Sequence, residues 1–448
     1  MTSSSDRLDL HYESVQSRYK TEYSGTYSGL VTPTGNQGEP VHRWFHFKEA
    51  YSHRLLQQVL KDTQLDGLKS VRLIDPFSGS GTTAVSALQM VQAGTLERVT
   101  ALAVETNPFL HLISSAKVAA LQSEGLDVVR LAGAVAADVL AGRYTDADIP
   151  GLSTFKQQEY FPAASVQSLA ALREAIVSRT SDADSTTRLL LQLCLAASIE
   201  PSSKLRRDGR TLRYVPDKQP ADPIRTFLSI AERVEEDLPR HRLPASTRAN
   251  VLQGDVRTRG LGNVGPFNLC VFSPPYPNNI DYTEVYKIEA WMLGLIGGQT
   301  EFAAQRRRTL RSHGSLRWDD DYFYETDSQF REPLGQLIAP LLAAIPEDRY
   351  KTARVQLVRG YCDDMLRILV RVSEKLSPDG KLACIVGNSL HGHADGQLLV
   401  AADLLIARIA ELVGFSIDLI DVARAPSRKR TASPFLRESV IFGTFGGR

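Results

Sequence analysis

The sequence contains 448 residues, which is enough for one large domain with insertions or for two to three domains. Hydrophobic residues make up 43% and charged residues 23%, a composition typical of soluble globular proteins, and no apolar run reaches the length of a membrane span. The formal net charge of +1 gives no overall sign of nucleic-acid binding, which local basic clusters would have to provide.

The chain is predicted to be cytoplasmic. Its N-terminus, Met1-Thr2-Ser3-Ser4-Ser5-Asp6, lacks the pattern of a secretory signal peptide. The cysteines are scattered, and two of them lie in apolar, strand-like runs, so buried thiols are expected rather than disulfides or a metal site. They are Cys194, Cys270, Cys362 and Cys384.

The first 120 residues predict an arm, a helix and the first two strands of a sheet. Residues 1–40 are rich in Ser, Thr, Tyr and Gly without sustained periodicity, so an arm lying over the core is expected. An amphipathic helix follows within 41–60. Strands are predicted at 71–75 and 99–104, and a further helix begins at Pro108.

The middle of the chain is predicted to be a helical insertion. Residues 121–248 carry helical patterns with little strand signal, and strand signal returns only at 250–255. In a compact fold of alternating strands and helices, this strand would follow the second one closely. The insertion therefore separates two parts of one core, 41–120 and 249–448.

The C-terminal part predicts the remaining elements of the core. Residues 298–352 are polar with scattered aromatic side chains and are interpreted as a second insertion within it. The other predicted elements are a strand ending at Ser273, a helix at 353–375, a strand at 381–386, a helix at 398–413, and a closing antiparallel hairpin of 415–422 with 438–445.

A glycine-rich turn links the first predicted strand to the next helix. Its sequence is Asp75-Pro76-Phe77-Ser78-Gly79-Ser80-Gly81-Thr82-Thr83. Glycines let a backbone approach a bound molecule closely, and a helix N-terminus offers free N–H groups to an anion. The turn favours a site for a nucleoside-containing cofactor, although alone it could be an ordinary strand-to-helix connection.

A second motif, Ser273-Pro274-Pro275-Tyr276, also follows a strand-like run and ends with an aromatic ring. Alone it could be a loop stiffened by its prolines. Its presence in one chain with the glycine-rich turn is far more specific than either motif by itself.

The pair resembles the motifs of the S-adenosylmethionine-dependent DNA amino-methyltransferases, which methylate the exocyclic N4 amine of cytosine or N6 amine of adenine. The resemblance implies an α/β fold: a Rossmann-like class I methyltransferase sheet with a C-terminal antiparallel hairpin, plus the helical insertion. It also implies double-stranded DNA as the substrate. Target recognition would lie in 121–248, in 298–352 or in both, while a restriction or defence-system partner and the oligomeric state stay open.

The resemblance assigns S-adenosyl-L-methionine to the glycine-rich turn. Gly79 and Gly81 would let the backbone approach the cofactor, and the helix N-terminus at Thr82 would face its carboxylate. The predicted cofactor-binding residues are Asp75, Phe77, Gly79, Gly81, Thr82, Thr83, Glu105, Asp255, Trp44 and Lys48.

Carboxylates at the ends of the strands would bind the other polar groups of the cofactor. Asp75 would bind its ammonium group directly or through water, Glu105 its ribose hydroxyls and Asp255 its adenine amine. In isolation, carboxylates at these positions could equally cap helices. The segment 41–60 would line the methionine end of the cofactor.

The resemblance assigns catalysis to the second motif, whose residues are Ser273, Pro274, Pro275 and Tyr276. An exocyclic base amine is a poor nucleophile because its lone pair is delocalised into the ring. The Ser273 hydroxyl and the Pro274 carbonyl would accept hydrogen bonds from this amine, and Tyr276 would stack on the extruded base. The neutral Ser273 favours cytosine N4, because adenine-N6 enzymes of the family more often carry Asp there.

Contacts to DNA are predicted from polar residues that follow the second motif and from local basic clusters at 204–213, 306–311 and 424–430. For the polar residues, simple turn formation is the alternative, and for each basic cluster it is a solvated surface. The predicted substrate-binding residues are Asn278, Asn279, Asp281, Tyr282, Lys204, Arg206, Arg207 and Arg210.

Three further functions are compatible with the sequence: an adenine-N6 DNA methyltransferase, an RNA guanine-N2 methyltransferase, and a catalytically silent nucleic-acid-binding partner. The RNA alternative lacks an evident RNA-binding module, and the silent alternative would require the loss of a motif residue. The run His391-Gly392-His393 with Asp395 is too loosely spaced for a metal site, so a surface loop and no metal are expected.

Overall fold

The computed structural model describes residues 4–181, 183–208, 211–239, 241–278, 280–393, 396–425 and 433–447, without the side chains of residues 4–6 and 393. Predicted site residues that lie outside the described residues are Arg210, Asn279, Asp395 and the basic run Arg428-Lys429-Arg430, and the same holds for the His393 side chain.

The strands form one large sheet and two small hairpins. In spatial order the large sheet is β1-β11-β12-β8-β7-β2-β3-β6, while β9 pairs with β10 and β4 pairs with β5. The strands are β1 (Thr21–Glu22), β2 (Ser70–Asp75), β3 (Arg98–Glu105), β4 (Leu205–Arg207), β5 (Leu212–Tyr214), β6 (Arg248–Gln253), β7 (Phe267–Phe272), β8 (Leu376–Gly387), β9 (Ser389–His393), β10 (Gly396–Val400), β11 (Phe415–Arg424) and β12 (Glu438–Phe445).

Helices cover both faces of the large sheet. They are α1 (Ser4–Gln16), α2 (Leu55–Asp62), α3 (Thr82–Gln92), α4 (Pro108–Leu121), α5 (Val128–Leu140), α6 (Ser153–Lys156), α7 (Ala163–Arg179), α8 (Ser185–Ile199), α9 (Pro223–Asp237), α10 (Tyr282–Val285), α11 (Lys287–Met292), α12 (Gln299–Arg307), α13 (Phe323–Thr326), α14 (Ser328–Ala343), α15 (Lys351–Ser373) and α16 (Ala402–Leu412), with a short 3₁₀ turn at His42–Trp44.

The order of the sheet is that of a class I methyltransferase. Strands β6, β3, β2, β7 and β8 run parallel, and β12 lies antiparallel between β8 and β11. The fold predicted from the two motifs, including the closing hairpin, is confirmed. The order reverses between β2 and β7, which opens a crevice at the carboxyl ends of these strands.

Alternating side chains of the central strands bury both faces of the sheet. Leu73 and Val271 face a hydrophobic cluster that includes α3, α4 and α8, whereas Ile74 and Phe272 face a second cluster with α15 and α16. Parallel strands that are covered on both faces in this way appear in the sequence as nearly continuous apolar runs. The apolar runs therefore identified these strands correctly in the sequence.

The insertion 121–248 is mainly helical, as predicted, and its helices α5 and α7 to α9 continue the cluster around α4. The hairpin of β4 and β5 within it was not predicted. The domain boundaries at 121, 248, 298 and 352 remain predictions.

Local structure was missed in one segment and misplaced in another. The first 40 residues contain helix α1, whose Leu8, Tyr12 and Val15 are buried at helical spacing, and strand β1, which pairs with β11. The start of the predicted helix at 398–413 belongs instead to β10, which pairs with β9, and the helix begins only at Ala402.

The second insertion is less polar than its composition suggested. Phe330, Leu334 and Ile338 of α14 are buried against the second hydrophobic cluster. Within the described ranges, no helix combines the length and hydropathy required to cross a bilayer.

Candidate active site

The two sequence motifs meet in one cleft at the carboxyl edge of the sheet. Gly79, Glu105 and the motif Ser273 to Tyr276 all line one cavity of about 260 Å³. Because a single water requires only roughly 10–15 Å³ of such volume, the cleft has room for an organic ligand. Motifs that are almost 200 positions apart in the chain are thus brought together at the point where the strand order reverses.

The glycine-rich turn has a backbone that needs glycine at two positions. Gly79 and Gly81 have φ values of +52° and +88°. A Cβ atom on Gly79 would lie 3.1 Å from the Phe47 ring, and one on Gly81 would lie 3.0 Å from Ser114 of α4. Gly79 therefore shapes the cleft itself, whereas Gly81 allows α3 and α4 to pack closely.

Glu105 connects the end of β3 to the glycine-rich turn. Its two carboxylate oxygens accept hydrogen bonds from the backbone N–H groups of Gly79 and Asn107, each at 2.8 Å. Burial raises the pKa of Glu105 to about 7, and the two N–H donors oppose that rise. Each oxygen has a second lone pair, so the side chain can still accept hydrogen bonds from a ligand.

The cleft contains buried polar atoms whose partners are missing from the protein. Ser78 Oγ, Glu49 Oε1 and Thr283 Oγ1 are buried and have no hydrogen-bond partner among the described residues. All three residues line the cleft. Because unpaired buried polar atoms are costly, this arrangement fits a polar ligand such as S-adenosylmethionine, with its amino acid group and ribose.

Asp255 lies in the cleft but is already part of an ion-pair network. Its carboxylate accepts hydrogen bonds from Arg257 at 2.7 Å, and Arg257 also pairs with the fully buried Asp364 of α15 at 2.6 Å. Arg311, from the second insertion, contacts both Asp364 and Asp363. This network holds the loop 308–313, which lines the cleft, against α15.

Four predicted cofactor residues do not line the cleft: Asp75, Gly81, Thr83 and Trp44. Asp75 is buried behind the turn, where it accepts hydrogen bonds from the Phe77 N–H and the Thr83 hydroxyl. Trp44 is buried, and its indole N–H donates to Asp237 of α9. The structure therefore does not support direct contact of the Asp75, Thr83 and Trp44 side chains with a cofactor, and these side chains hold the turn and the surrounding core.

The segment after Trp44 does line the cleft. Phe47, Lys48, Glu49 and Tyr51 face it, together with residues 31–33 of the N-terminal arm. Phe47, Glu49 and Tyr51 were not singled out from the sequence. The available signal was a charged pair, Lys48-Glu49, flanked by aromatic residues in the segment that precedes α2.

The second motif is held by contacts that its sequence does not show. The Tyr276 hydroxyl donates to Glu438 Oε1 at 2.6 Å, and the Ser273 hydroxyl lies 3.5 Å from the Tyr276 oxygen. The Tyr276 ring lies directly over Gly387. Ser389 of β9 donates to the Pro277 carbonyl at 2.6 Å.

The hairpin of β9 and β10 thus supports the loop that carries the second motif. His391 of this hairpin is buried, and burial lowers its pKa to about 4. The expected surface loop at this position was therefore wrong.

Of the polar residues that follow the motif, Asn278 and Tyr282 line the cleft. Asp281 does not. Its carboxylate caps α10 by accepting hydrogen bonds from the N–H groups of Thr283 and Glu284, and it pairs with Arg306 at 2.7 Å. Its predicted role in substrate contact was wrong, and turn formation explains it.

The basic cluster at 204–213 divides into buried and exposed residues. Arg207 is buried, pairs with Glu200 and Glu289, and lies 4.7 Å from the Tyr286 ring centroid, so a phosphate contact by this side chain was a wrong prediction. Arg206 and Arg213 face each other across the β4–β5 hairpin and are exposed, and Lys204 is half-buried. Lys48, at the cleft, donates to the Arg207 carbonyl, which places this hairpin beside the cleft.

The sheet order, the glycine-rich turn and the cleft shared with Ser-Pro-Pro-Tyr define a class I methyltransferase that uses S-adenosylmethionine. The predicted resemblance to S-adenosylmethionine-dependent amino-methyltransferases is confirmed by curated relatives. The chain is 23% identical to the type II methyltransferase M.BsoBI of Geobacillus stearothermophilus over an alignment of 439 residues. This alignment covers 86% of this chain and 81% of that protein.

A second relative is also a type II methyltransferase and is similar over most of the chain. The type II methyltransferase M.AvaI of Nostoc sp. is 21% identical over 437 residues, which cover 87% of this chain and 82% of that protein. No protein-family model matches the chain. Among solved structures, an rRNA methyltransferase, aviRa of Streptomyces viridochromogenes, aligns over 88% of this chain and 85% of its own, at 10% identity and with a TM-score of only 0.27.

We expect cofactor affinity to depend on pH through Glu105. Ribose hydroxyls donate to the ionised carboxylate, so affinity for S-adenosylhomocysteine should increase as the pH rises through about 7 and then level off. Calorimetry across this range would show the increase in the parent and a flatter profile in Glu105→Gln. The same pH profile in both proteins would contradict the assignment.

Proposed function

We propose that this chain is a DNA methyltransferase that methylates the exocyclic N4 amine of cytosine. The observation that carries the proposal is the shared cleft: Gly79 and Glu105 lie in the same cavity as Ser273 and Tyr276. The type II methyltransferase relatives, similar over most of the chain, support DNA as the substrate. The choice of cytosine N4 as the target atom rests on the neutral Ser273 and on the family resemblance.

On this proposal, the residues of the cleft have separate tasks. Glu105 binds the ribose of S-adenosylmethionine, and Glu49, with its unpaired carboxylate oxygen, replaces Asp75 as the acceptor for the ammonium group. Ser78 supplies a further hydroxyl. When bound, the cofactor supplies an electrophilic methyl group.

The second motif prepares the base. The Ser273 hydroxyl and the Pro274 carbonyl accept hydrogen bonds from the exocyclic amine, which favours a tetrahedral nitrogen with an available lone pair. Tyr276 offers its ring to the extruded base. Positioning then supplies most of the rate enhancement, and the amine keeps its protons until it attacks.

The target atom is tested with the purified protein, tritiated cofactor, duplex DNA and bulk RNA. We expect label in DNA, and nucleoside mass spectrometry should identify N4-methylcytosine. N6-methyladenine in its place would overturn the choice of target base, and label in RNA alone would overturn the choice of DNA. No transfer to either, with cofactor bound, would favour a silent nucleic-acid-binding partner.

The exposed arginines of the β4–β5 hairpin are proposed to contact DNA phosphates. Neither Arg206 nor Arg213 forms an ion pair within the described part of the chain, and the hairpin lies beside the cleft. This supports 121–248 as one part of the DNA-binding surface. A restriction or defence-system partner stays a prediction.

The double variant Arg206→Gln, Arg213→Gln should bind DNA more weakly across sequences. Because each phosphate contact releases counterions, the slope of log affinity against log salt should flatten by roughly one unit per lost contact. The matched control is Arg98→Gln, Arg248→Gln, two exposed arginines at the opposite, amino edge of the sheet. Equal slopes in both double variants would indicate that the hairpin does not contact DNA phosphates and is only a solvated surface.

A further inference from the structure

A row of three residues crosses the sheet directly beside the second motif. Arg424 of β11 pairs in register with Glu438 of β12, and Glu438 pairs in register with Gly387 of β8. Directly paired residues project from the same face of a sheet. Arg424 Nε donates to Glu438 Oε2, and Gly387, the third member of the row, has no side chain to project.

The ring of Tyr276 occupies the place that a side chain at Gly387 would need. A Cβ atom on Gly387 would lie 2.8 Å from both Cδ2 and Cε2 of Tyr276, closer than real Cβ contacts allow. At the other end of the ring, the hydroxyl donates to Glu438 Oε1 at 2.6 Å. The row therefore meets the tyrosine at two points: Gly387 leaves room for the edge of the ring, and the Glu438 carboxylate binds the hydroxyl group.

The chemistry of these contacts points to orientation of the ring. Tyrosine and phenylalanine rings stack equally well on a base, so stacking alone does not require the hydroxyl group. In this chain the hydroxyl hydrogen is committed to a carboxylate that is itself held by Arg424. Hydrogen bonds to charged groups are stronger than those between neutral groups, so the tilt of the ring is tightly held.

We propose that Glu438 is a positioning residue for the proposed methyl transfer. Together with the space left by Gly387, it holds the Tyr276 ring as one wall of the base site. The inference rests on the proposed function and adds a residue that lies 162 positions from Tyr276 in the chain. Glu438 lines the cleft but acts through the tyrosine. Because the Tyr276 oxygen also lies near Ser273, the same contact keeps that hydroxyl beside the wall.

The test compares turnover of Glu438→Ala, Tyr276→Phe and the double variant on duplex DNA. Loss of a hydrogen bond to a charged group should lower kcat by roughly tenfold or more in Glu438→Ala, with cofactor affinity unchanged. Tyr276→Phe should show a similar loss, and adding Glu438→Ala to it should change little. Glu438→Gln keeps an acceptor oxygen and should recover part of the rate.

Glu411 provides a matched control. It accepts a hydrogen bond from Tyr19 at 3.0 Å and pairs with Arg408, so it forms the same kind of contact away from the cleft. Glu411→Ala should leave kcat unchanged. Equal losses in Glu411→Ala and Glu438→Ala, or a full Glu438→Ala loss in the Tyr276→Phe background, would overturn the inference.

A measurement without substrate separates this inference from the proposed function. With 3-fluorotyrosine incorporated, the fluorine resonance of Tyr276, assigned by its absence in Tyr276→Phe, should shift in Glu438→Ala and not in Glu411→Ala. An unmoved resonance would overturn the contact whatever the activity. A parent protein that transfers no methyl group to DNA would overturn the proposed function, whereas an active parent with fully active Glu438→Ala would overturn the inference alone.

Discussion

Replacing Tyr276 with alanine should lower the turnover of DNA methylation by roughly fivefold to 150-fold, equivalent to about 1–3 kcal/mol of lost base stacking. The ring lines the cleft beside Ser273 and is held from both ends, by Gly387 and by Glu438. Affinity for S-adenosylhomocysteine should stay near that of the parent, because the proposed cofactor ligands Gly79 and Glu105 lie in the turn after β2 and at the end of β3, whereas Tyr276 follows β7. Single-turnover kinetics on the best duplex substrate, with calorimetry for the cofactor, make the comparison.

Tyr23→Ala is the appropriate control for this substitution. Tyr23 is 67% exposed and belongs to the N-terminal arm, so its loss should change neither turnover nor cofactor affinity. Normal turnover of Tyr276→Ala would show that the second motif is not catalytic. A loss of cofactor affinity as large as the loss of turnover would assign Tyr276 to the cofactor site instead.

Replacing Glu105 with alanine should weaken cofactor binding by roughly 10-fold to 150-fold, since hydrogen bonds to a charged acceptor contribute about 1.5–3 kcal/mol. The carboxylate lies in the cleft between the glycine-rich turn and α4. The substitution also leaves the N–H groups of Gly79 and Asn107 without their acceptor, so a lower melting temperature is expected as well. Calorimetry on the folded variant, below its melting temperature, isolates the loss of affinity.

Asp138→Ala controls for the removal of a buried carboxylate. Asp138 of α5 is buried and pairs with Arg179 at 2.6 Å, but it does not line the cleft. Its loss should lower stability and leave cofactor affinity intact. Unchanged affinity in Glu105→Ala would remove Glu105 from the cofactor site, and equal loss in both variants would indicate a general effect of stability.

Local sequence was sufficient to predict the elements of the core. Strands β2, β3 and β7 are largely apolar runs because both of their faces are buried, and β12 of the closing hairpin repeats this pattern. The N-terminal helix α1 was missed although its buried residues have helical spacing. Its exposed face is rich in polar residues, and its apolar side becomes evident only where Tyr12 donates to the Leu399 carbonyl at 2.8 Å.

The sequence by itself determined the two motifs, the residues within them and, through the order of apolar runs, the class of sheet. Only the tertiary structure decided which of these side chains face the cleft. Asp75 and Glu105 both end a strand, but Asp75 turns behind the loop to Thr83 whereas Glu105 lines the cavity. The rotation of a side chain at a strand end depends on its packing neighbours, which a local pattern does not contain.

The tertiary structure also decided which charges are available and which residues support the site. Arg206 and Arg207 are adjacent, but a strand directs successive side chains to opposite faces, so one is exposed and the other is buried in ion pairs. Glu438 contacts Tyr276 because β12 inserts antiparallel beside β8 in one register. That register results from long-range pairing across the sheet, and no short stretch of sequence specifies it.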